Sequence, residues 1–249
     1  MGLKKIGVIY LLVMLFSFTT KGQEIAYLNK FKIPIQDTSK YAPFFKRIIE
    51  TQGKERKTEI ITTSEQLVYQ KVEELGSDSN PISSIEFWFT EEGILQEKTI
   101  SDLTKDRSTI SRFFPNGNLE SIIEKKGDAI VSEKYFFETG KKRKKPIIES
   151  ALPVGGLEAW NIFLGQNLRY PPSAQRMGYE GTVFVSFIVT KDGQMEDIEL
   201  TNPEENHFLL NQEALRVVKL YTGLWNPLKI DGEVQKTRMR MPIRFKLTD

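Results

Sequence analysis

Glu180-Gly-Thr-Val-Phe-Val-Ser-Phe-Ile-Val-Thr-Lys-Asp-Gly193 decides the fold of the C-terminal part of this chain. Successive side chains of a strand point to opposite faces. Val183, Val185, Phe187 and Val189 therefore share one face, and Phe184, Ser186 and Ile188 the other. The second face is also partly apolar, which predicts a strand covered on both sides in places. Asp192-Gly193 is a hairpin dipeptide, since both residues accept the backbone angles of a tight turn. Gln194–Thr201 then returns as a second strand with Ile198 and Leu200 inward, and Asn202-Pro203 ends it.

Outward from this hairpin, both flanks read as helix and strand. Upstream, Leu152-Pro-Val-Gly-Gly156 is turn-rich, and Leu157–Asn167 follows as an amphipathic helix with Leu157, Trp160, Ile162, Phe163 and Leu164 as candidate core. Tyr170-Pro171-Pro172 breaks it. Pro172 suits the first turn of a short helix through Ser173–Met177, which Gly178 is placed to end. Downstream, Asn206–Tyr221 carries the helical stripe Leu209, Leu210, Ala214, Leu215, Val217, Val218 and Tyr221. Trp225-Asn226-Pro227 packs its exit. Asp231-Gly232 opens a last strand, Glu233–Leu247, with Met239, Met241, Ile243, Phe245 and Leu247 inward and Arg238, Arg240, Arg244 and Lys246 outward. The order helix-β-β-α-β predicts an α+β domain with a three-stranded antiparallel sheet and helices on one face.

These residues also carry a resemblance. Pro153-x-Gly-Gly156, Tyr170-Pro171, Gly181 before Val-x-Val-x-Phe187, Asp192-Gly193, Glu213-Ala-Leu-Arg-Val-Val218, Trp225-Asn-Pro227 and Met241-Pro-Ile-x-Phe245 occur in order over residues 152–247. Together they resemble the C-terminal domain of TonB proteins in its Bacteroidetes-type form. The resemblance implies coupling of inner-membrane proton-motive force to uptake through outer-membrane receptors. The receptor's short box peptide would add as a strand to this sheet, a mode that draws affinity from main-chain hydrogen bonds. The implied contact zone is Gln166, Asn167, Leu168, Arg169 and Tyr170 together with the last strand, where Arg238, Arg240, Arg244 and Lys246 either meet the partner or form a solvated face that guards the edge. Tyr170, Trp225 and Pro227 have a second reading, as residues that hold helix ends against the sheet. Inner-membrane motor proteins or peptidoglycan are the further partners implied.

A transducer of that family has a membrane anchor and a long Pro-rich spacer. This chain departs from it, because residues 23–140 read as folded, mostly β material. Lys57–Gln70 is rich in β-branched residues and predicts strand; Tyr41–Glu50 fits a short helix with Phe44, Phe45, Ile48 and Ile49 on one side. Glu86-Phe-Trp-Phe-Thr-Glu-Glu-Gly93, Arg112-Phe-Phe-Pro-Asn-Gly117 and Lys134-Tyr-Phe-Phe-Glu-Thr-Gly140 form a loose repeat with glycines 24 and 23 residues apart and an insertion at 102–108. Stacked hairpins resembling MORN-like repeats of exported bacterial proteins would share a face that none buries alone; an irregular antiparallel sheet with chance spacing is the alternative. Lys141-Lys-Arg-Lys-Lys145 before Pro146 marks a boundary, since five successive cations resist packing. It reads as a solvated linker over 141–151 or as a phosphate or membrane patch. The domains expected are thus a leader at 1–22, a hairpin-repeat region at 23–140, the basic linker, and the α+β domain at 152–249.

Residues 1–22 predict export. Lys4 and Lys5 precede the uncharged run Ile6–Phe18, and Thr20 and Gly22 place small residues before Gln23. As a helix Ile6–Thr20 reaches about 22 Å, against roughly 30 Å of hydrocarbon. The expectation is a cleaved signal and a periplasmic protein; an uncleaved anchor in the inner membrane is the alternative. The formal charge of +2 includes Lys4, Lys5 and Lys21, so the chain after the leader stands at −1, which removes a general nucleic-acid footprint. No cysteine exists to form a disulfide, thiolate metal site or lipid anchor. His207, the one histidine, sits at a helix start beside no nucleophile and reads as a capping or surface residue. No acid pair, phosphate loop or metal spacing is present, so a non-enzymatic protein without cofactor is expected.

Overall fold

The computed structural model describes residues 22–247. The leader assignment therefore lies, apart from Gly22, outside the described residues. Among the described residues no helix is long and apolar enough to cross a membrane.

The N-terminal part is one antiparallel meander. β1 (Glu24–Leu28), β2 (Phe45–Gln52), β3 (Glu55–Thr62), β4 (Leu67–Leu75), β5 (Pro81–Phe89), β6 (Leu95–Asp102), β7 (Arg107–Phe113), β8 (Leu119–Lys126), β9 (Ala129–Phe136) and β10 (Lys142–Arg143) lie side by side in sequence order. The expected helix at Tyr41–Glu50 is instead β2, paired on both flanks: Ile48 stands between Ile25 of β1 and Glu59 of β3. Lys57–Gln70 supplies parts of β3 and β4, as its β-branched residues predict. The stretch expected as an insertion at 102–108 is the end of β6, a turn at 103–106 and the start of β7, with Asp102 opposite Arg107.

The repeat spacing has a backbone cause. At each repeat the glycine N–H donates three residues back and the chain closes one residue later: Gly93 to Thr90 O (3.0 Å) with Thr90 to Ile94 O (2.8 Å), Gly117 to Phe114 O with Phe114 to Asn118 O (both 2.8 Å), and Gly140 to Phe137 O (2.7 Å) with Phe137 to Lys141 O (2.8 Å). The glycines sit at φ of +84°, +83° and +80°, the left-handed position that closes a three-residue hairpin loop. The cross-strand register then places Trp88, Glu97, Arg112, Ser121 and Tyr135 in one row.

This sheet has little apolar core. Leu28, Phe45, Ile60 and Val68 are its one buried cluster among the described residues. Elsewhere the same face carries paired charges: Glu73, 5% exposed, receives Arg56 at 2.6 Å and Lys71 at 3.0 Å, and Tyr69 donates its hydroxyl to Glu86 at 3.0 Å. Burial pushes the Glu73 carboxyl up, but its two cations outweigh that and hold it below the usual carboxylate range.

The C-terminal part follows through β11 (Ile148–Glu149) and β12 (Leu152–Pro153) into α1 (Gly156–Asn167) and α2 (Pro172–Arg176). β13 (Gly181–Val189), β14 (Met195–Leu200), a 3-10 turn at Pro203–Glu205 and α3 (Phe208–Leu220) come next, then β15 (Trp225–Asn226), β16 (Leu228–Ile230), β17 (Glu233–Gln235) and β18 (Thr237–Phe245). β13 is the central strand of the sheet β14-β13-β18, antiparallel to both neighbours. Val183, Val185, Phe187 and Val189 are fully buried against Leu210, Ala214, Val217 and Val218 of α3, with Ile243 and Phe245 beside them. The core thus lies between one face of this sheet and the helices.

Three details differ from the sequence reading. The strand expected over Glu233–Leu247 is broken at Lys236, because β17 turns back on β16 (Ile230 opposite Glu233) and β16 pairs with β11. Leu157 and Ile162 are exposed, since α1 rests on Trp160 alone among its fully buried residues. Leu152-Pro153 pairs with Trp225-Asn226, a ladder the sequence does not signal. That last pairing explains Gly193: a Cβ there would meet the Trp225 carbonyl oxygen at 2.2 Å, and Trp225 N–H donates to Gly193 O at 2.9 Å.

Candidate functional site

The two margins of the three-stranded sheet are not alike. Phe184 settles their polarity. Its N–H donates to Asn202 Oδ1 (2.9 Å) and its carbonyl accepts from Thr201 N–H (2.9 Å), so its backbone groups point toward β14. In an antiparallel ladder these groups alternate sides along a strand. Val183, Val185 and Phe187 therefore bond to Ile243, Met241 and Met239, the residues opposite them. Arg238, Arg240, Pro242 and Arg244 then turn their backbone groups away from β13, into the open margin of β18. Pro242 agrees, because a proline inside a sheet must sit where no ladder donor is needed.

The β14 margin is met at its C-terminal end by the chain itself. Asn29 Nδ2 donates to Thr201 O at 3.0 Å, Lys30 pairs with Glu199, and the N–H groups of Gln36 and Asp37 bond the Glu204 carboxylate at 3.0 and 3.1 Å. A bulge lies between Ser186 and Ile188 in its pairing with β13. Asn202, 2% exposed, closes the end of the ladder by donating to Thr182 O. No strand of the described residues pairs with the outer side of β14 or of β18, and the described contacts of the N-terminal segment lie on the β14 side.

The arginines that alternate along β18 have different surroundings. Arg238 Nη1 reaches Ser186 Oγ at 3.2 Å and Glu199 at 3.3 Å, and its guanidinium lies 5.9 Å from the Phe31 ring. Arg240 rests on the Phe184 ring at 4.0 Å. Neither Arg240 nor Arg244 has a carboxylate partner among the described residues, and Lys246 is exposed with them. On the opposite, helix-facing side Met239 and Met241 are half-buried at the same margin.

Gln166–Tyr170 lies at the far end of this edge and touches it at one point. Tyr170 packs edge-on against Phe245 with ring centroids 5.6 Å apart, and its hydroxyl donates to Tyr179 O at 2.6 Å. Asn167 and Arg169 are tied to α3: Arg216 donates to Asn167 O at 2.7 Å, and the Arg169 N–H donates to Glu213 at 2.6 Å. Leu168 is half-buried against the core, while Gln166 and the Arg169 side chain are exposed. Burial pushes the Glu213 carboxyl up, yet Arg216 and the Arg169 amide hold it below its usual range. The structure thus joins the two predicted zones through Tyr170 and Phe245, and gives Asn167 and the Arg169 backbone to helix anchoring.

Trp225 is 2% exposed between Trp160 and Phe187, at 5.9 and 5.0 Å, and Tyr170 is similarly built into the packing. His207 caps α3, with Nδ1 accepting from Leu209 N–H at 3.3 Å, and stacks on Tyr179. A cleft of about 680 Å³ lies where Tyr135 and Phe137 meet Ile230 and Asp231. Its cations are already used, Arg112 by Glu97, Arg143 by Asp231 and Lys145 by Glu133. The residues that sequence reasoning passed over are Pro242, Met239 and Met241 as parts of the edge, and Glu199, which removes Arg238 from the free set. Only the proline carried a signal, an imino acid on the outward phase of a strand.

No curated protein matches this chain. Residues 166–247, about a third of the length, match the family model described as Gram-negative bacterial TonB protein C-terminal.

Proposed function

We propose that the C-terminal domain holds an extended segment of an outer-membrane transporter by strand addition to β18, as part of a TonB-like role in energy-coupled transport across the envelope. The observation that carries this reading is the asymmetry of the sheet: Asn29 and Lys30 meet Thr201 and Glu199 at one end of the β14 margin, and the β18 margin presents outward backbone groups of Arg238, Arg240 and Arg244 with no strand beside them. Such an edge is an aggregation hazard unless it is charged, interrupted or used. Gln166–Tyr170 borders the end of the edge through Tyr170. In this reading the protein is exported to the periplasm, with retention in the inner membrane as the alternative, and no catalytic chemistry is assigned to it.

Titration of the isotope-labelled full chain with peptides copying the N-terminal segments of outer-membrane receptors tests this. The amide signals of Arg238, Arg240 and Arg244 are expected to move before those of β14. No movement at millimolar peptide removes the proposal.

One observation favours a second reading, a structural envelope protein that holds partners or peptidoglycan without energy input. Ten paired strands, read here as a MORN-like hairpin array, occupy the stretch between leader and domain where a transducer of the Bacteroidetes-type TonB form has a spacer. Cell fractionation separates the readings. A mature protein beginning at Gln23 and released as soluble periplasm excludes direct transduction; retention with inner membrane weakens the structural role.

A further inference from the structure

We infer that the segment received by β18 carries two acidic side chains four residues apart, with apolar residues immediately inside each of them. This rests on the strand-addition reading and adds to it the chemistry of the partner. A strand laid beside β18 in register shares its faces, so each of its side chains stands next to the β18 side chain opposite it. Residues opposite Arg240 and Arg244 come out on the face away from the helices. There two guanidinium groups lack carboxylates among the described residues, and the Phe184 ring holds one of them in place from below. The residue between them lies over the Pro242 ring, where no N–H is available to it, and its identity is free.

The alternate residues of the partner, opposite Met241 and Ile243, come out on the helix side. Met241 is half-buried at that margin, and an apolar side chain beside it completes its cover. Arg238 asks for no acid, because Glu199 and Ser186 already hold it. The resulting pattern, acid-apolar-any-apolar-acid, reads the same in both directions, so it holds for parallel and antiparallel docking alike.

The test uses the full chain and three fluorescein-labelled peptides: Ser-Glu-Val-Thr-Val-Glu-Ser, its Gln-for-Glu analogue, and the Glu peptide with both Val replaced by Thr. Two exposed charge pairs predict about 2- to 30-fold tighter binding of the Glu peptide than of the Gln analogue at low salt, shrinking toward parity near 1 M salt. The Thr peptide is expected to bind more weakly than the Glu peptide. Arg240→Gln with Arg244→Gln is expected to bring the ratio of Glu-peptide to Gln-peptide affinity to parity. Equal binding of the Glu and Gln peptides overturns the acidic pattern and leaves strand addition standing. No binding of any peptide at millimolar concentration overturns both. The ligand-side substitutions keep the test independent of whether the double variant folds.

Discussion

Pro242→Ala separates the two roles of β18, and the structure sets opposite signs for them. Pro242 stands opposite Phe184 with its nitrogen turned away from β13. Replacing it breaks no hydrogen bond of the sheet. The folded state loses only the proline's restriction of the unfolded chain, about 0.4–1 kcal/mol. The open margin meanwhile gains a backbone N–H between Arg240 and Arg244, and the partner strand gains one hydrogen bond. At a net value of about 0.5–1.5 kcal/mol, that tightens binding about 2- to 13-fold. Urea unfolding of the variant should therefore show a small loss of stability, while peptide titration shows higher affinity. Self-association should rise as well, since the edge loses its interruption. A gain in stability would place the Pro242 nitrogen inside the ladder, where the new N–H completes a hydrogen bond of the sheet. Unchanged affinity would mean that the partner does not pair along this part of β18. Either result refutes the assignment of outward backbone groups.

The other predictions concern the packing and charge that hold this edge in place. Phe187→Ala removes a fully buried ring packed against Trp225 and should cost about 3–5 kcal/mol in denaturant unfolding; a loss under about 1 kcal/mol would mean that the ring is not central to the core. Because the Glu213 carboxyl is held below its ordinary range, it contributes stability that is present above that range and lost as pH falls through its folded value. Glu213→Gln should flatten the acid limb of stability against pH, and an unchanged limb would show that another carboxylate governs it. Asp231→Ala releases both Arg143 and the Ile147 N–H (3.0 Å), so trypsin should cut after Arg143 and Lys144 several-fold faster; an unchanged cleavage rate would mean that β10 and β11 hold the segment without it.

What the sequence conveyed depended on whether one physical pattern acted alone. β13 was legible because its buried face is uniformly apolar and its period of two admits no other structure. The hairpin glycines were legible because few other residues tolerate their φ. Tyr41–Glu50 was misread because Phe44, Phe45, Ile48 and Ile49 also fit a helical period; neighbours on both flanks of β2 decide the matter, and those neighbours are invisible locally. The break at Lys236 has no glycine or proline to mark it and is imposed by pairing with β16. At the edge, alternation put Arg238, Arg240 and Arg244 together. It could not show that Glu199 of another strand takes the first and Phe184 supports the second. Which cations are free is a property of packing, and periodicity is blind to it.

The meander sheet limits how the domain can act. Ten strands at about 4.8 Å spacing extend roughly 43 Å across, whereas about 120 residues in an extended Pro-rich chain would cover roughly 370 Å. The sheet also grips the domain it precedes, through Asn29–Asp37 on the β14 margin and through Arg143 and Ile147 on Asp231. Those contacts fix one side of the small sheet and leave β18 facing outward. Under the proposed strand-addition reading, a module built this way gives up reach for a fixed orientation of its open edge, so a partner segment must come to it. If the β14 contacts set that orientation, Asn29→Ala with Lys30→Ala should leave peptide affinity nearly unchanged while loosening the domain against the sheet. An increase in amide exchange at Leu200 and Thr201 without one at Met239 would show this. Equal loosening of both margins would mean that the domain is held as a whole by other contacts.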